Sequence, residues 1–178
     1  MEKLQLEARL KNLLSSIHSG RSSAIEELIE QIGGIVFAFL LRILENREDA
    51  EDAFQETFSI VYRKAGQKSG IDGSPRSWIF TIAKNEAFRI LRARKHGETV
   101  DKSLHNEKHS GFAYAPDEKS QEISDAVSKI PIDLRISFMM KEILDLSYDE
   151  IAVMTDRSVS QIAQEIFRAR KMLREILS

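Results

Sequence analysis

Asp49, Asp52, Gln55 and Glu56 stand at helical spacing in the run Asp49-Ala50-Glu51-Asp52-Ala53-Phe54-Gln55-Glu56-Thr57-Phe58 and offer three carboxylates and an amide. Downstream, Trp78, Lys84, Asn85, Phe88 and Arg92 offer cations, an amide and flat rings. The first set suits a protein partner held by ion pairs and hydrogen bonds. The second suits single-stranded nucleic acid, whose phosphates take positive charge and whose unstacked bases take aromatic partners. Residues 1–62 carry 6 basic and 11 acidic side chains, and residues 63–95 carry 9 and 2, so segments of −5 and +7 lie beneath a formal net charge of −2. That sorting is an electrostatic footprint hidden by the near-neutral whole.

Helices must position both sets. On an ideal helix Glu48, Asp49, Asp52, Gln55, Glu56, Ser59 and Arg63 share one side, and Ala50, Ala53, Phe54, Thr57, Phe58 and Val61 the other. An acidic stripe is also what a plain solvated face looks like, and Glu48 and Asp49 complement the helix dipole from its first turn. In the next helix, about Ser77 to Lys95, Ile79, Ile82, Ala83, Ala87 and Ile90 point inward. Thr81, Lys84, Asn85, Phe88, Arg89, Arg92 and Lys95 point outward, with Trp78 at the edge. The competing reading of Trp78 and Phe88 is that they are core.

The same periodicity runs along the chain. Leu4–His18 and Ser22–Ile32 are amphipathic, with Ser22 or Ser23 as the cap of the second and Glu26, three residues beyond Ser23, completing a capping box. Gly33-Gly34 is expected to weaken or bend the helix before Ile35–Leu44 resumes it. Residues 64–76 hold Gly66, Gly70, Gly73 and Pro75 and read as a loop, to which Lys64, Lys68 and Arg76 add charge and Ser69 and Ser74 small hydrogen-bonding groups. His96–Ser120 turns polar and reads as a linker, with Phe112 and Tyr114 as apolar tips for docking. His105 and His109 have the i, i+4 spacing of a metal pair, but no third ligand accompanies them, so no metal site is expected.

Beyond the linker, Gln121–Lys129 is helical and Pro131 suits the first turn of a helix with apolar Ile132, Ile136, Met139, Met140 and Ile143. A short helix, Tyr148–Met154, a turn at Thr155-Asp156-Arg157 and a long helix, Ser158–Leu177, follow a helix-turn-helix plan. Ser158 and Gln161 form a second capping box, and Ile162, Ile166, Ala169, Leu173 and Ile176 or Leu177 supply the buried stripe. Ser160, Gln161, Gln164, Arg168 and Lys171 face outward, where the first turns of the helix can enter a major groove and its later cations meet phosphates. The expected fold is all-α: two small helical domains, 1–96 and 121–178, joined by a polar linker, 97–120, the second domain a helix-turn-helix.

Bulk properties exclude more than they select. At 178 residues, 42% hydrophobic and 30% charged, the chain is globular. Zero cysteines remove disulfides and thiolate metal sites. No signal-peptide core follows Met1, and the run Ile35–Leu41 is too short to span a bilayer, so a cytoplasmic protein is expected. No phosphate-cradling glycine loop or Ser, His and Asp arrangement is present, and neither an enzyme nor a cofactor is expected.

Asp49 to Phe58 resembles a motif of the type D-A-E-D-x-x-Q-E-x-F, and Trp78-Ile79-Phe80-Thr81-Ile82-Ala83-Lys84-Asn85 resembles W-L-x-x-I-A-[RK]-N. Ile130-Pro131-Ile132-Asp133-Leu134-Arg135 is similar to L-P-x-x-x-R, Leu146 to Ala152 to L-S-Y-x-E-I-A, and Arg168 to Arg174 to R-A-R-x-x-L-R. In this order they are the motifs of the bacterial extracytoplasmic-function sigma factors, the smallest promoter-recognition subunits of RNA polymerase. The resemblance implies a factor that binds core RNA polymerase at its β′ clamp and β flap and directs promoter recognition and opening, with an anti-sigma factor as a further potential partner. Clamp binding would fall on Asp49, Asp52, Gln55 and Glu56. Minus-ten DNA would fall to Lys68, Ser74, Arg76, Trp78, Lys84, Asn85, Phe88 and Arg92, the loop receiving a flipped base. The minus-thirty-five element would fall to Arg157, Ser160, Gln161, Gln164, Arg168 and Lys171.

One stretch departs from the family. Where the usual pattern reads T-V-K-S-R-L, this chain has Gln161-Ile162-Ala163-Gln164-Glu165-Ile166, so Ala163 and Glu165 replace two cations. Phosphate attraction is expected to weaken there, while Gln pairs with adenine and Glu accepts from cytosine. Two alternatives stand beside a sigma factor: a sigma mimic that sequesters an anti-sigma protein, which the lost cations favour and the +7 segment opposes, and a stand-alone helix-turn-helix regulator, which leaves the acidic motif unexplained.

Overall fold

The computed structural model describes residues 2–67, 73–96 and 118–178, and the described residues form helices without strands. Two compact units divide the chain, Met1–Tyr114 and Ala115–Ser178. Lys68, Ser69, His105, His109, Phe112 and Tyr114 lie outside the described residues.

The first unit holds α1 (Glu2–His18), α2 (Ala24–Leu44), α3 (Arg47–Gln67) and α4 (Pro75–Lys95). The other three helices all pack on α2, which buries Leu28, Ile32, Val36, Phe37, Phe39, Leu40, Ile43 and Leu44, as a helix apolar on nearly all sides must. From α1 come Leu10, Leu13, Leu14 and Ile17, a single helical stripe. From α4 come Ile79, Ile82, Ala83, Ala87 and Ile90, together with Phe80, whose ring meets Phe39 edge-on at 5.3 Å.

Several local expectations change. The α2 helix runs unbroken through Gly33-Gly34. A Cβ on Gly33 would stand 3.1 Å from Ile29 Cγ2 and 3.3 Å from Phe54 Cζ, so this glycine makes room for a neighbouring ring instead of bending the helix. Phe54 is half-buried, packed against Phe37 at 5.8 Å and Phe58 at 4.8 Å. Ser23 has helical φ and ψ and makes no side-chain cap, so the Ser23 and Glu26 box does not form. The α3 helix continues through Lys64 to Gln67 because Ala65 still has a core to enter, at 2% exposure. At the start of α4, Ser74 is extended and its Oγ accepts from the Ser77 N–H at 3.1 Å, with Pro75 in the first turn.

The second unit holds α5 (Glu118–Ser128), α6 (Ile132–Glu142), α7 (Tyr148–Thr155) and α8 (Val159–Leu177). Pro131 stands at the N-cap of α6, one residue before its first turn. Ile136, Met139 and Met140 of α6 are buried, and Ile132 and Ile143 only half-buried. Both α7 and α8 begin with complete capping boxes, Ser147 with Glu150 and Ser158 with Gln161. Between them Asp156 takes the left-handed conformation, φ 55°, and its N–H bonds back to the Ala152 carbonyl, which makes the tight turn. Ile162, Ile166 and Ala169 are buried, while Leu173 and Ile176 are half-buried and Leu177 is exposed. The stripe is covered over a shorter length than expected, its burial falling off beyond Ala169.

Candidate functional site

Three helix faces carry the candidate residues. On α3, Asp52, Gln55 and Glu56 are half-buried and, at i, i+3 and i+4, form one continuous polar patch. Asp49, one turn earlier, is engaged within the chain: its carboxylate pairs with Arg94 of α4, whose guanidinium also donates to the Leu44 carbonyl at 3.0 Å. Asn46 Oδ1 accepts from the Asp49 N–H at 2.9 Å and starts the helix. Asp49 thus fastens the end of α4 to the start of α3. Asp52, Gln55 and Glu56 make up the rest of the patch.

On α4, Trp78, Asn85 and Arg92 recur every two turns, about 10 Å apart along the axis. Asn85 and Arg92 are exposed and Trp78 half-buried. Beside them the Lys84 ammonium lies 5.9 Å from the centre of the Phe88 ring, so a cation and an aromatic surface are presented together. Phe88 is half-buried, partway between the core and contact readings. Arg89 is paired with Glu86 at 2.7 Å. The Arg76 side chain is only 7% exposed, so in the free protein it is held away from the surface that its charge had suggested. Ser74 Oγ donates to Glu7 Oε1 at 2.9 Å besides capping α4.

On α8, Ser160, Gln161, Gln164, Arg168 and Lys171 are all exposed. Gln161 commits its Oε1 to the cap, accepting from the Ser158 N–H at 2.9 Å, whereas Gln164 has no such tie to the cap. Ser160, Ala163, Gln164, Phe167 and Arg168 line a shallow depression along this face. Phe167, at 69% exposure, is a candidate that the sequence reading missed. Its signal was its position one residue past Ile166, off the buried stripe and next to Arg168.

Arg157 and Glu165 sit elsewhere than expected. Arg157 Nη1 donates to both Glu165 oxygens at 2.9 Å, and its Nη2 donates to Asp133 Oδ1 at 2.8 Å. Burial works against the Arg157 charge, but the hydrogen bonds and attraction of Asp133 and Glu165 more than offset it, so its pKa is raised. Glu165 also accepts from the buried Ser137 Oγ at 2.5 Å. Glu165 is therefore a tie among α6, the turn and α8, and the expectation that it accepts from cytosine gives way to this internal role. Arg135, buried at 6% exposure, is another internal tie: its Nε and Nη2 donate to the Ile130 carbonyl at 3.2 and 2.9 Å, and Nη2 also to that of Ser128.

Among the described residues no group of three His, Asp or Glu could hold a metal ion, and no helix is long and apolar enough to cross a membrane.

Residues 28–97 match the family Sigma-70 region 2, and residues 120–173 match Sigma-70, region 4. The RNA polymerase sigma-H factor of Pseudomonas aeruginosa is 24% identical, over 94% of this chain and 93% of its own. The ECF RNA polymerase sigma-E factor of Escherichia coli is 28% identical over 90% of each chain, and that of Haemophilus influenzae 27% over 90% and 91%. Among solved structures, CnrH in complex with the cytosolic domain of CnrY aligns with a TM-score of 0.68, 20% identity and coverage of 95% of this chain and 97% of that one. The sigma factor RpoE of Bartonella quintana, in complex with the anti-sigma factor NepR, aligns with a TM-score of 0.66, 20% identity and coverage of 87% and 97%. These two likenesses concern the fold.

Proposed function

From the premise that this chain belongs to the sigma-70 family, as an extracytoplasmic-function sigma factor that directs transcription initiation, we propose that its three helix faces divide that work. The α3 patch of Asp52, Gln55 and Glu56 docks on the β′ clamp of core polymerase, with Asp49 holding the helix in place. The α4 face binds the non-template strand of the minus-ten element: phosphates meet Lys84 and Arg92, Asn85 hydrogen-bonds, and Trp78 and Phe88 stack on bases as they leave the duplex. Lys68, Ser74 and Arg76 belong to the same region by sequence, Ser74 through its cap and Arg76 only once its side chain leaves the core.

The α8 face enters the major groove of the minus-thirty-five element. Bidentate adenine readout needs both the oxygen and the nitrogen of an amide, and Gln161 has spent its oxygen on the cap, so Gln164 takes that role. Ala163 and Phe167 offer apolar contact to thymine methyl groups, and Arg168 and Lys171 meet phosphates. Arg157 acts by holding the turn. The second unit also meets the β flap, and an anti-sigma protein is a further partner, as the name of the RpoE complex with the anti-sigma factor NepR supports. The protein works in the cytoplasm beside its polymerase and DNA, and the reaction centre is the polymerase's own. The inward turn of Glu165 removes its charge from the groove face and so weighs against a sigma mimic.

The observation that carries this reading is the α4 face, where Trp78, Asn85 and Arg92 line up beside the Lys84 and Phe88 pair. Permanganate probing of a bound promoter, with core polymerase present, tests it. Unpaired thymines in the minus-ten region become reactive with the native protein, and Asn85→Ala with Arg92→Ala lowers that reactivity about tenfold. Undiminished reactivity would refute the assignment.

A further inference from the structure

The matched region 2 segment begins at residue 28, yet α1, which precedes it, reaches the start of α4. Glu7 Oε1 accepts from Ser74 Oγ at 2.9 Å, and Oε2 accepts from the Arg76 N–H at 3.5 Å. The first turn of α4 has no acidic residue of its own. A helix start carries orphan N–H groups and partial positive charge, and Glu7 supplies from another helix the anion that this start lacks. At the opposite end of α1, His18 Nδ1 donates to the Gly66 carbonyl in the last turn of α3 at 3.2 Å. Leu10, Leu13, Leu14 and Ile17 anchor the helix between these two contacts in the core. One helix therefore holds the two described segments on either side of residues 68–72.

We propose that Glu7 is a positioning residue for minus-ten recognition: it fixes the first turn of α4, and with it Trp78 one turn on, against α1. A carboxylate at this helix start also keeps nucleic-acid phosphates from taking the same N–H groups, so the strand registers on Lys84 and Arg92 farther along α4. The inference rests on the minus-ten reading of α4.

The experiment titrates this chain, bound to core polymerase, into a dye-labelled single-stranded minus-ten oligonucleotide and follows the anisotropy of the dye. Core affinity and thermal melting are measured in parallel. Glu7→Ala weakens oligonucleotide binding about tenfold while core affinity is kept, and Glu7→Gln, which keeps an acceptor for Ser74 Oγ but neither the charge nor the acceptor for the Arg76 N–H, recovers about threefold of that loss. Adding Ser74→Ala to Glu7→Ala produces a further loss, because Ser74 Oγ also caps the Ser77 N–H. Native affinity in Glu7→Ala, or a Glu7→Gln variant as weak as Glu7→Ala, would overturn the proposal. Asn85→Ala and Arg92→Ala separate the two claims. If they weaken binding and Glu7→Ala does not, positioning by α1 fails alone; if they too leave binding native, the minus-ten reading fails with it.

Discussion

Glu165 accepts a hydrogen bond from Ser137 across 2.5 Å, tying α8 to α6. Arg157 completes the tie from the turn. A change of sign at this site thus acts on the frame of the helix-turn-helix before it acts on DNA.

Replacing Glu165 with Lys is expected to lose about 1–3 kcal/mol, the usual cost of leaving buried hydrogen-bonding groups unpaired. Amide hydrogen exchange in α6 and α8 reports the loss locally. A Glu165→Lys variant with native protection and tighter DNA binding would contradict an internal role for Glu165.

Arg135→Ala removes the donors that cap the Ser128 and Ile130 carbonyls. It is expected to destabilise the second unit by about 1–3 kcal/mol, seen as faster exchange at α5 and α6, with little change in α1 to α4. Equal effects in both units would mean that Arg135 does something else.

How much of this was legible in the sequence differs by level. Helices were legible because the apolar residues of α1, α3 and α4 recur at the helical period, and the box at Ser158 and Gln161 because both partners are local. Gly33 misled because propensity speaks of the isolated helix, whereas the Phe54 ring that needs its space lies across a helix interface. The candidate faces were legible as charge and aromatic patterns. What pattern could not show is pairing between distant residues: Asp49 with Arg94, Arg157 with Asp133 and Glu165, and Glu7 with Ser74. These contacts separate the residues that hold the site from those that can meet a partner.

On α3 that distinction is testable. Asp52→Ala with Gln55→Ala is expected to lower core polymerase affinity about tenfold while the fold stays intact. Asp49→Ala, by contrast, loosens the α3 to α4 junction and lowers the melting temperature. Native core affinity in the double variant, measured by fluorescence anisotropy, would remove the clamp face from the account.

For α8, salt dependence separates phosphate contacts from base contacts. Arg168→Ala and Lys171→Ala are each expected to reduce the slope of log affinity against log salt by about 0.9 per phosphate lost, whatever the sequence bound. Gln164→Ala is expected to keep the slope and lose discrimination at one base pair, costing about 1–3 kcal/mol. Identical slopes for all three variants would argue against the orientation of α8 in the groove.

The most direct measurement is run-off transcription by purified core polymerase from a promoter selected by binding to this protein. The account predicts initiation at one defined start site only when the protein is added, abolished by Asp52→Ala with Gln55→Ala and by Asn85→Ala with Arg92→Ala. Transcription no higher than that of core polymerase alone, with the protein folded and the promoter bound, would contradict it.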